Sequence, residues 1–480
     1  MDNYDLVVLG GGTGGLVSAL IAAGAGARVA LVERDRTGGD CLWTGCVPSK
    51  SLLATAGLAH RMRHADAVGL APVDPAIDFS RVMGHVARAI GAIEPQDSPQ
   101  RLRAAGVEVI AGEGRFAAPG RLEVDGRLLR FRAAIIATGS EPRLPPLEGL
   151  AAAEPLTSDT VWDLEELPGR LVVLGGGPVA CELGQAFSCL GSRVTIVQRA
   201  GRLLTKEEPR AGEVVAARLA AEGAEVRLGA RAVAVEERSL VLADGARIPF
   251  DRLLVAVGRS PRSAGLGLGT VGVELDREGA VQVDRGLRTS APGIYAVGDV
   301  TGLLPFTHVA AHQARVATPN ALFHGRASVS EALPWATFTD PEVGRVGLTE
   351  EQARSRWGTK TVVVESDKDP DRAITAGEPQ GFVKLVGDPR GVLVGATVVR
   401  PAAGETIAGL AVLLERRAKI EEVSRAVQPY PTFSEAPARA ADAYLASRYS
   451  RPPIRALSRA ALALLRWVDR LRSAIRRAGS

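Results

Sequence analysis

One pattern constrains this sequence more than any other, and it occurs twice: an apolar strand, a glycine cluster, an alanine-rich helix and a second strand. The first copy begins with DLVVL (5–9), turns at a glycine run that starts at Gly10, continues as a helix over 16–26 and ends at Glu33. A βαβ unit of this length with glycines at the turn predicts a dinucleotide-binding site.

The glycines of this first turn have different tasks. Gly10 permits the tight turn, Gly12 lets the backbone approach a pyrophosphate, and Gly15 lets the helix pack closely on the strand. The helix N-terminus offers N–H groups and a positive dipole end to the phosphates. Glu33, at the end of the second strand, is placed to accept hydrogen bonds from a ribose diol. The alternative, a glycine turn with only a structural role, would not explain why the second strand ends in Glu33.

The second copy runs from LVVLGGG (171–177) to RVTIVQ (193–198), with Gly175 and Gly177 at its turn. In both copies the first glycine and the last strand residue are 23 positions apart. Two such units in one register predict an α/β protein with two Rossmann-like domains.

The second copy ends differently from the first. Gln198 stands where the first copy has an acid, and Arg199 and Arg202 follow it. A carboxylate would repel a 2′-phosphate, whereas an arginine would bind it. The comparison favours NADPH over NADH, and the competing interpretation is a solvated arginine in an arginine-rich chain.

The positive charge is concentrated at the end of the sequence. The net charge is +4, but residues 451–480 hold eight arginines and one acid, Asp469, so the rest is slightly acidic. A nucleic-acid-binding surface over the whole protein is therefore not expected. Apolar residues recur every three or four positions over 454–477, which predicts an amphipathic helix in a basic tail, 449–480. An anionic membrane surface, a partner helix and the protein's own dimer are all candidate contacts for it.

Four cysteines in 480 residues do not form the disulfide framework of a secreted protein. The start, MDNYDLVVLGGG, has no charged region or cleavage site of a signal peptide, and no apolar run approaches the roughly 20 residues of a membrane span. We therefore expect a cytoplasmic protein, with the tail as a candidate peripheral membrane contact.

The segment GGDCLWTGCVPSK (38–50) places Cys41 and Cys46 five positions apart. One distorted helical turn would bring them within disulfide range, and a close pair beside a dinucleotide unit predicts redox activity, with structural cysteines as the alternative. No histidine-rich or cysteine-rich segment completes a metal site, so none is predicted. Cys181 and Cys189, on the second unit's helix, are expected to be buried.

The motif GGxCxxxGCxPSK after GxGxxG resembles the class I pyridine nucleotide-disulfide oxidoreductases, which include lipoamide dehydrogenase, glutathione reductase and mercuric reductase. The resemblance covers 4–448 and includes AIIATGS, GGGPVACELG, TSAPGIYAVGD, FTDPEVGRVG and PYPTFSEA. It implies an FAD-binding domain (1–150 and 287–333), an NAD(P)-binding domain (151–286) and a C-terminal α+β dimerisation domain (334–448).

The resemblance also implies a chemistry: hydride passes from NAD(P)H to FAD, and the reduced flavin opens a Cys41–Cys46 disulfide. Cys46 would be the charge-transfer thiol beside the flavin, and Cys41 the interchange thiol that attacks the substrate. Lys50 would lie near the flavin, paired with Glu182, and Asp299 would hold the ribityl chain. The other cofactor-binding positions implied are Thr138, Gly139 and Gly258.

Three departures from the family bear on the acceptor. Tyr430 stands where lipoamide and glutathione reductases have a catalytic histidine, with Glu435 kept; tyrosine is a poor proton shuttle at neutral pH, and its presence is similar to mercuric reductases. Mercuric reductases also carry a C-terminal cysteine pair, whereas the last cysteine here is Cys189. Pro178 replaces the tyrosine that gates the nicotinamide pocket in many members, which suggests a flavin open to quinones or dyes.

We therefore predict a homodimeric, FAD-dependent and NAD(P)H-dependent oxidoreductase of mercuric reductase-like sequence, in which Tyr430 reaches the cysteine pair of the other subunit. Its acceptor would be a small molecule or a metal ion. Two alternatives stay open: a diaphorase or quinone reductase, and a non-catalytic, nucleotide-loaded redox sensor tethered by its tail.

Overall fold

The computed structural model describes residues 2–378, 381–450 and 452–478, and they form two compact units. The first unit extends to Leu333 and includes Thr337–Asp340; the second holds Pro334–Ala336 and the chain from Pro341 onward. The division of the first unit into cofactor domains at residues 151 and 287 stays a prediction.

The first unit is a mixed α/β structure. Its strands are β1 (Asp2–Leu9), β2 (Val29–Glu33), β3 (Val107–Ala111), β4 (Gly114–Ala118), β5 (Arg121–Val124), β6 (Arg127–Ile136), β7 (Ser140–Pro142), β8 (Arg170–Leu174), β9 (Arg193–Gln198), β10 (Glu225–Leu228), β11 (Ala232–Glu236), β12 (Ser239–Leu242), β13 (Arg247–Pro249), β14 (Arg252–Val255), β15 (Arg259–Pro261) and β16 (Ile294–Ala296). Its helices are α1 (Thr13–Gly24), α2 (Gly39–Trp43), α3 (Cys46–Arg63), α4 (Phe79–Asp97), α5 (Pro99–Ala104), α6 (Pro178–Leu190), α7 (Pro209–Ala221) and α8 (Thr307–Phe323).

The largest sheet has the order β3-β2-β1-β6-β5-β4, with β16 also paired to β6. β1 is parallel to both of its neighbours, β2 and β6, so the sheet order reverses at β1 and the glycine turn lies at this switch point. Leu6 and Val8 of β1 pack into one core, and Val7 and Leu9 pack into the core on the other face. A strand buried on both faces explains why the sequence there is continuously apolar.

The second glycine unit builds a smaller parallel sheet of order β10-β9-β8-β14. The strands β8 and β9 flank α6 in the chain, as β1 and β2 flank α1, so the two sequence copies fold alike. An antiparallel sheet, β11-β12-β13, and a two-stranded ribbon, β7-β15, complete the strand pairing described in this unit.

The second unit is built on one sheet of order β17-β18-β21-β20-β19, with α11 packed on β18 and β21, and α13 on β19 and β20. The strands are β17 (Pro334–Thr337), β18 (Glu342–Gly347), β19 (Val362–Ser366), β20 (Phe382–Gly387) and β21 (Leu393–Arg400). The helices are α9 (Glu350–Trp357), α10 (Asp371–Ala376), α11 (Ala403–Glu415), α12 (Ile420–Arg425), α13 (Ala436–Tyr449) and α14 (Pro452–Ala478).

The chain path between the two close cysteines differs from the one predicted. A single distorted turn was expected to carry both, but α2 ends at Trp43 and a new helix begins at Cys46. Pro48 explains the break, because its ring would clash with the carbonyl of Thr44 in a continuous helix. Each cysteine therefore belongs to a separate helix.

The tail is a continuous helix, α14, that covers the periodic segment of the sequence. Among the described residues, the structure contains no helix that is both long enough and apolar enough to cross a membrane.

Candidate active site

The two glycine turns have the same geometry. Gly10 has a φ of +109° and Gly175 a φ of +131°, in the left-handed region that favours glycine. A Cβ at either position would lie 2.3 Å from a carbonyl oxygen, that of Ala137 or that of Ala256. No other residue type fits at either turn, because both the conformation and the neighbouring strand exclude a side chain.

Both turns leave a helix N-terminus open. Gly12 is the N-cap of α1 and Gly177 is the N-cap of α6, and no side chain of the described residues caps either helix. A Cβ on Gly12 would still be 3.8 Å from its nearest described neighbour, Gly39, whereas a Cβ on Gly15 would meet the carbonyl oxygen of Gly10 at 1.8 Å. Open N–H groups above a tightly packed turn fit the pyrophosphate of a dinucleotide.

The second strand of each glycine unit ends in a different residue type, as the sequence indicates. The strand β2 ends in an acid, Glu33, and the strand β9 ends in an amide, Gln198. The Glu33 carboxylate accepts a hydrogen bond from the Gly11 N–H at 2.5 Å, so it lies at the first turn. Gln198 occupies the corresponding place in the second unit, where a Cβ on Gly176 would be 2.8 Å from its side chain. Arg199 follows it and is exposed.

The close cysteines differ in their surroundings. Cys41 is half-buried in α2, whereas Cys46 is exposed and is the first residue of α3, where the helix dipole favours a thiolate. A hydrogen bond from Cys41, assisted by Thr307 at 3.2 Å and by the charge of Lys50, lowers the pKa of Cys46 to about 6. The same hydrogen bond and burial hold the pKa of Cys41 far above its usual value. Cys46 is therefore the thiolate of the reduced pair at neutral pH.

Lys50 and Glu182 form an ion pair next to the cysteines. Lys50 lies one turn after Cys46 on α3, and the packing of α3 on α6 brings its Nζ to 2.7 Å from the Glu182 Oε2. The Glu182 side chain is only 7% exposed, and its other oxygen accepts the Phe338 N–H at 2.8 Å. The Lys50 ammonium also lies 4.5 Å from the centre of the Phe338 ring. The pairing implied by the sequence resemblance is thus present, whereas the part it plays in catalysis stays a prediction.

The charges of this ion pair act on the Cys46 pKa in opposite directions, which gives a test by substitution. Lys50 lowers that pKa and Glu182 raises it. We expect Lys50→Met to move the pH midpoint of Cys46 alkylation by iodoacetamide upward from about 6 by about one unit. Glu182→Gln should move it downward, and the double variant should return close to the original midpoint. Mass spectrometry of the reduced protein identifies the alkylated thiol; equal midpoints in all four proteins would contradict the assignment.

A second network connects Asp299 to α2, the helix that holds Cys41. The Ser140 hydroxyl donates to the Asp299 Oδ2 at 2.6 Å and accepts from the Arg259 Nε at 2.7 Å. Arg259 also forms an ion pair with Asp40, the residue before Cys41, and burial raises the pKa of Asp299. The network therefore joins the segment predicted to hold the flavin chain to the helix of Cys41, the predicted interchange thiol.

The remaining predicted cofactor positions lie around this network. The Thr138 hydroxyl donates to the Arg262 carbonyl at 2.6 Å, so it positions the neighbouring loop. Gly139 directly precedes Ser140, and Gly258 directly precedes Arg259. Contact of these positions with a cofactor stays a prediction.

Tyr430 and Glu435 lie in the second unit, connected through two residues that the sequence did not suggest. The Tyr430 hydroxyl donates to an Asp371 oxygen at 2.6 Å, and the other Asp371 oxygen accepts from Arg439 at 2.9 Å. Arg439 in turn contacts Glu435 at 3.1 Å. The hydrogen bond to Asp371 raises the pKa of Tyr430, so the phenol stays protonated at neutral pH.

The two other cysteines are buried, as expected. Cys189 was not expected to lie in a polar group: its Sγ and ligating atoms of His60 and Glu222 are all within 4.8 Å of one another. Arg218 also lies there, with its Nη2 3.0 Å from the His60 Nε2 and its Nε 2.7 Å from a Glu222 oxygen. Burial, assisted by the Arg218 charge, lowers the pKa of His60 to about 4. The guanidinium already neutralises the carboxylate, so we assign this group to structural ion pairing between α3, α6 and α7.

Several residues of the site escaped the sequence analysis. Thr307 and Phe338 are far from the cysteines in sequence, and no short motif connects them to the pair. The sequence does give a weak signal for Arg259 and Asp40, since they directly adjoin Gly258 and Cys41. An arginine next to a fingerprint glycine and an aspartate next to a predicted redox cysteine are candidates for an ion pair of this kind.

Comparison with known proteins agrees with this geometry. Residues 4–314 match the pyridine nucleotide-disulphide oxidoreductase family, and residues 333–441 match the dimerisation domain of that family. The chain is 37% identical to a dihydrolipoyl dehydrogenase of Thermus scotoductus, over 92% of this chain and 98% of the relative. It is also 37% identical to a mercuric reductase of Acidithiobacillus ferrooxidans, over 90% of this chain and 80% of the relative. The Cu(II) complex of the HOCl-induced flavoprotein disulfide reductase RclA from Escherichia coli superimposes with a TM-score of 0.82 at 27% identity, covering 92% of this chain and 99% of that one.

Proposed function

The chain belongs to the pyridine nucleotide-disulphide oxidoreductases, and on this premise we propose that it takes electrons from NADPH and delivers them, through the Cys41–Cys46 pair, to a soft metal ion. The family consists of enzymes that bind FAD and a pyridine nucleotide, which favours catalysis over a sensor role. The choice of NADPH and of a metal ion as acceptor belongs to the proposal. One observation supports the choice of a metal ion. The cysteine pair holds a thiolate and a thiol, and Tyr430, the residue predicted to exchange protons with it, is a protonated phenol.

The two glycine units have the residues to hold the two cofactors. FAD, when bound, supplies a group that takes up hydride from the nicotinamide and passes the electron pair to the disulfide. We assign FAD to the first unit because its turn ends in an acid suited to a ribose, and NADPH to the second because Arg199 can face a 2′-phosphate. The residues proposed to bind FAD are Gly10, Gly12, Gly15, Glu33 and Asp299; those proposed to bind NADPH are Gly175, Gly177 and Arg199.

The cysteines supply soft ligands at the end of this transfer. Cys46 is already a thiolate near pH 7, and Cys41 becomes one by releasing its proton when a soft cation binds. In the net reaction NADPH loses a hydride, a divalent ion gains two electrons and becomes the metal, and one proton is released. The Lys50 ammonium stabilises the negative charge that the pair carries before the ion binds.

Tyr430 supports a metal ion over a disulfide substrate. Reduction of a disulfide leaves a thiolate product that needs a proton, and a histidine with a pKa near 6.5 exchanges that proton readily at neutral pH. Tyr430 donates to Asp371, which raises its pKa further from neutrality. Reduction of a bound metal ion leaves no product thiolate that needs a proton, and mercuric reductases are among the relatives.

A panel of acceptors tests the proposal. NADPH oxidation by the FAD-loaded protein is compared with mercuric ion, a low-molecular-weight disulfide and a quinone. We expect mercuric ion to be reduced fastest, and Tyr430→His to raise disulfide reduction at least tenfold by supplying a group that titrates near neutral pH. Tyr430→Phe is the matched control and should not raise it. A wild-type preference for the disulfide contradicts the proposal.

A quinone or dye reductase is the second candidate. It is favoured by Pro178, the first residue of α6, at a position where many family members have a gating tyrosine. A quinone faster than mercuric ion, with a rate independent of the cysteines, would support this function instead.

We also propose a homodimer. The dimerisation-domain match covers Tyr430. The sequence resemblance implies that this domain brings Tyr430 to the cysteine pair of the other subunit. The acceptor site would then combine the thiols of one subunit with the Tyr430–Asp371–Arg439 network of its partner.

A further inference from the structure

The helix α14 lies outside both regions that match the family, and its large apolar side chains are in contact with solvent. These side chains are between 41% and 74% exposed: Leu457, Leu462, Leu464, Leu465, Trp467, Leu471 and Ile475. So many exposed apolar side chains in one segment are typical of a surface that binds a partner or a membrane.

Most apolar and most basic residues of α14 lie on opposite faces; Leu462 and Arg472 are exceptions. At about 100° per residue, Leu457, Leu464, Trp467 and Leu471 fall within one half of the helix circumference. The arginines at 455, 459, 466 and 470 fall within an arc of about 60° on the other half. The helix therefore has a broad apolar face and a narrow cationic face along a length of about 40 Å, at 1.5 Å per residue.

We propose that α14 binds an anionic lipid surface and lies parallel to it, with the apolar face in the acyl region. The charge of the segment carries the choice of partner, since residues 451–480 have a net charge of +7 and a membrane with anionic headgroups has the opposite sign. Trp467, at the border between the faces, has the side chain that prefers the interface. Arg472, nearer the apolar arc, is long enough to extend its guanidinium to the headgroups.

A second copy of the helix fits this surface less well. A two-stranded coiled coil buries a narrow seam of two residues per heptad, whereas the apolar face here covers about half of the circumference. Pairing two such helices would also bring two cationic segments together. A lipid surface covers the whole face and neutralises the arginines.

Vesicle sedimentation of the full-length, FAD-loaded protein tests this proposal. We expect binding to vesicles of phosphatidylcholine and phosphatidylserine, weak binding to phosphatidylcholine alone, and loss of binding at high salt. Truncation after Ser450 should abolish binding and leave bound FAD and NADPH oxidation with a dye unchanged. No binding to anionic vesicles overturns the proposal.

Two leucines provide a matched pair of variants. Leu464 lies on the apolar face and Leu462, two residues earlier and equally apolar, lies about 200° away beside the arginines. Leu464→Gln should weaken partitioning about tenfold, and Leu462→Gln should change it little. Arg466→Gln combined with Arg470→Gln should weaken it more than tenfold, whereas the two Arg→Lys changes should preserve it. Equal effects of the two leucine variants overturn the predicted orientation.

Self-association is measured on the same proteins without lipid. Under the proposal, full-length and truncated proteins sediment as the same oligomer at all concentrations. A larger assembly that depends on the tail would show that a second copy covers the apolar face, and this result overturns the lipid assignment.

Discussion

Cys46→Ser should lower the reduction of a thiol-dependent acceptor by on the order of a thousandfold and leave reduction of a dye by the same protein unchanged. The serine hydroxyl does not ionise near neutral pH, so it supplies neither the thiolate that Cys46 provides nor a partner for a Cys41 disulfide. The two rates are measured with the same NADPH concentration and the same FAD content.

Cys181→Ala is the control for this variant, since it also removes a thiol from a cysteine but lies in the buried face of α6. It should leave both rates unchanged. A Cys46→Ser enzyme that retains reduction of mercuric ion or of a disulfide would show that the close cysteines are not on the path of the electrons.

Arg199→Gln should raise the KM for NADPH about a hundredfold and leave the KM for NADH unchanged. Charge-assisted bonds from one guanidinium to a 2′-phosphate contribute about 3 kcal/mol, and NADH has no such group. We expect the substitution to change KM and not kcat. The 2′-phosphate is remote from the reacting carbon, so the arginine binds it equally well in the ground state and in the transition state.

Arg193→Gln is the matched control, because Arg193 is an exposed arginine at the other end of the same strand, β9. It should change neither KM. A wild-type enzyme that uses NADH as well as NADPH, or an equal rise of both KM values in Arg199→Gln, would contradict the assignment of Arg199 to the 2′-phosphate.

The sequence predicts the two nucleotide units well because their signals are local. Gly10 and Gly175 are needed at turns that a side chain would block, and Glu33 and Gln198 end strands at a fixed distance from them. The prediction of a single turn through Cys41 and Cys46 is wrong, because the ring of Pro48 would clash with the carbonyl four residues earlier in a continuous helix and therefore separates two helices.

The surroundings of the cysteines could not be predicted from spacing. Thr307 contacts Cys46 from the start of α8, 261 positions later, and Phe338 contacts Lys50 from beyond the predicted end of the FAD domain. Such contacts depend on how the sheets and helices pack. The hydrogen bond from Tyr430 to Asp371 also depends on packing, since Tyr430 and α10 are far apart in sequence and meet only in the folded second unit.

The central claim is that electrons from the nicotinamide nucleotide reach a redox disulfide formed by Cys41 and Cys46, with Cys46 as the thiolate beside the flavin. Anaerobic titration with NADPH, followed by absorbance, tests it most directly. We predict that two electrons per FAD produce a long-wavelength thiolate–flavin band, which is lost as the pH falls below about 6 and is absent from Cys46→Ser. Bleaching of the flavin by the first two electrons, with no such band in the unmodified protein at neutral pH, would contradict the claim.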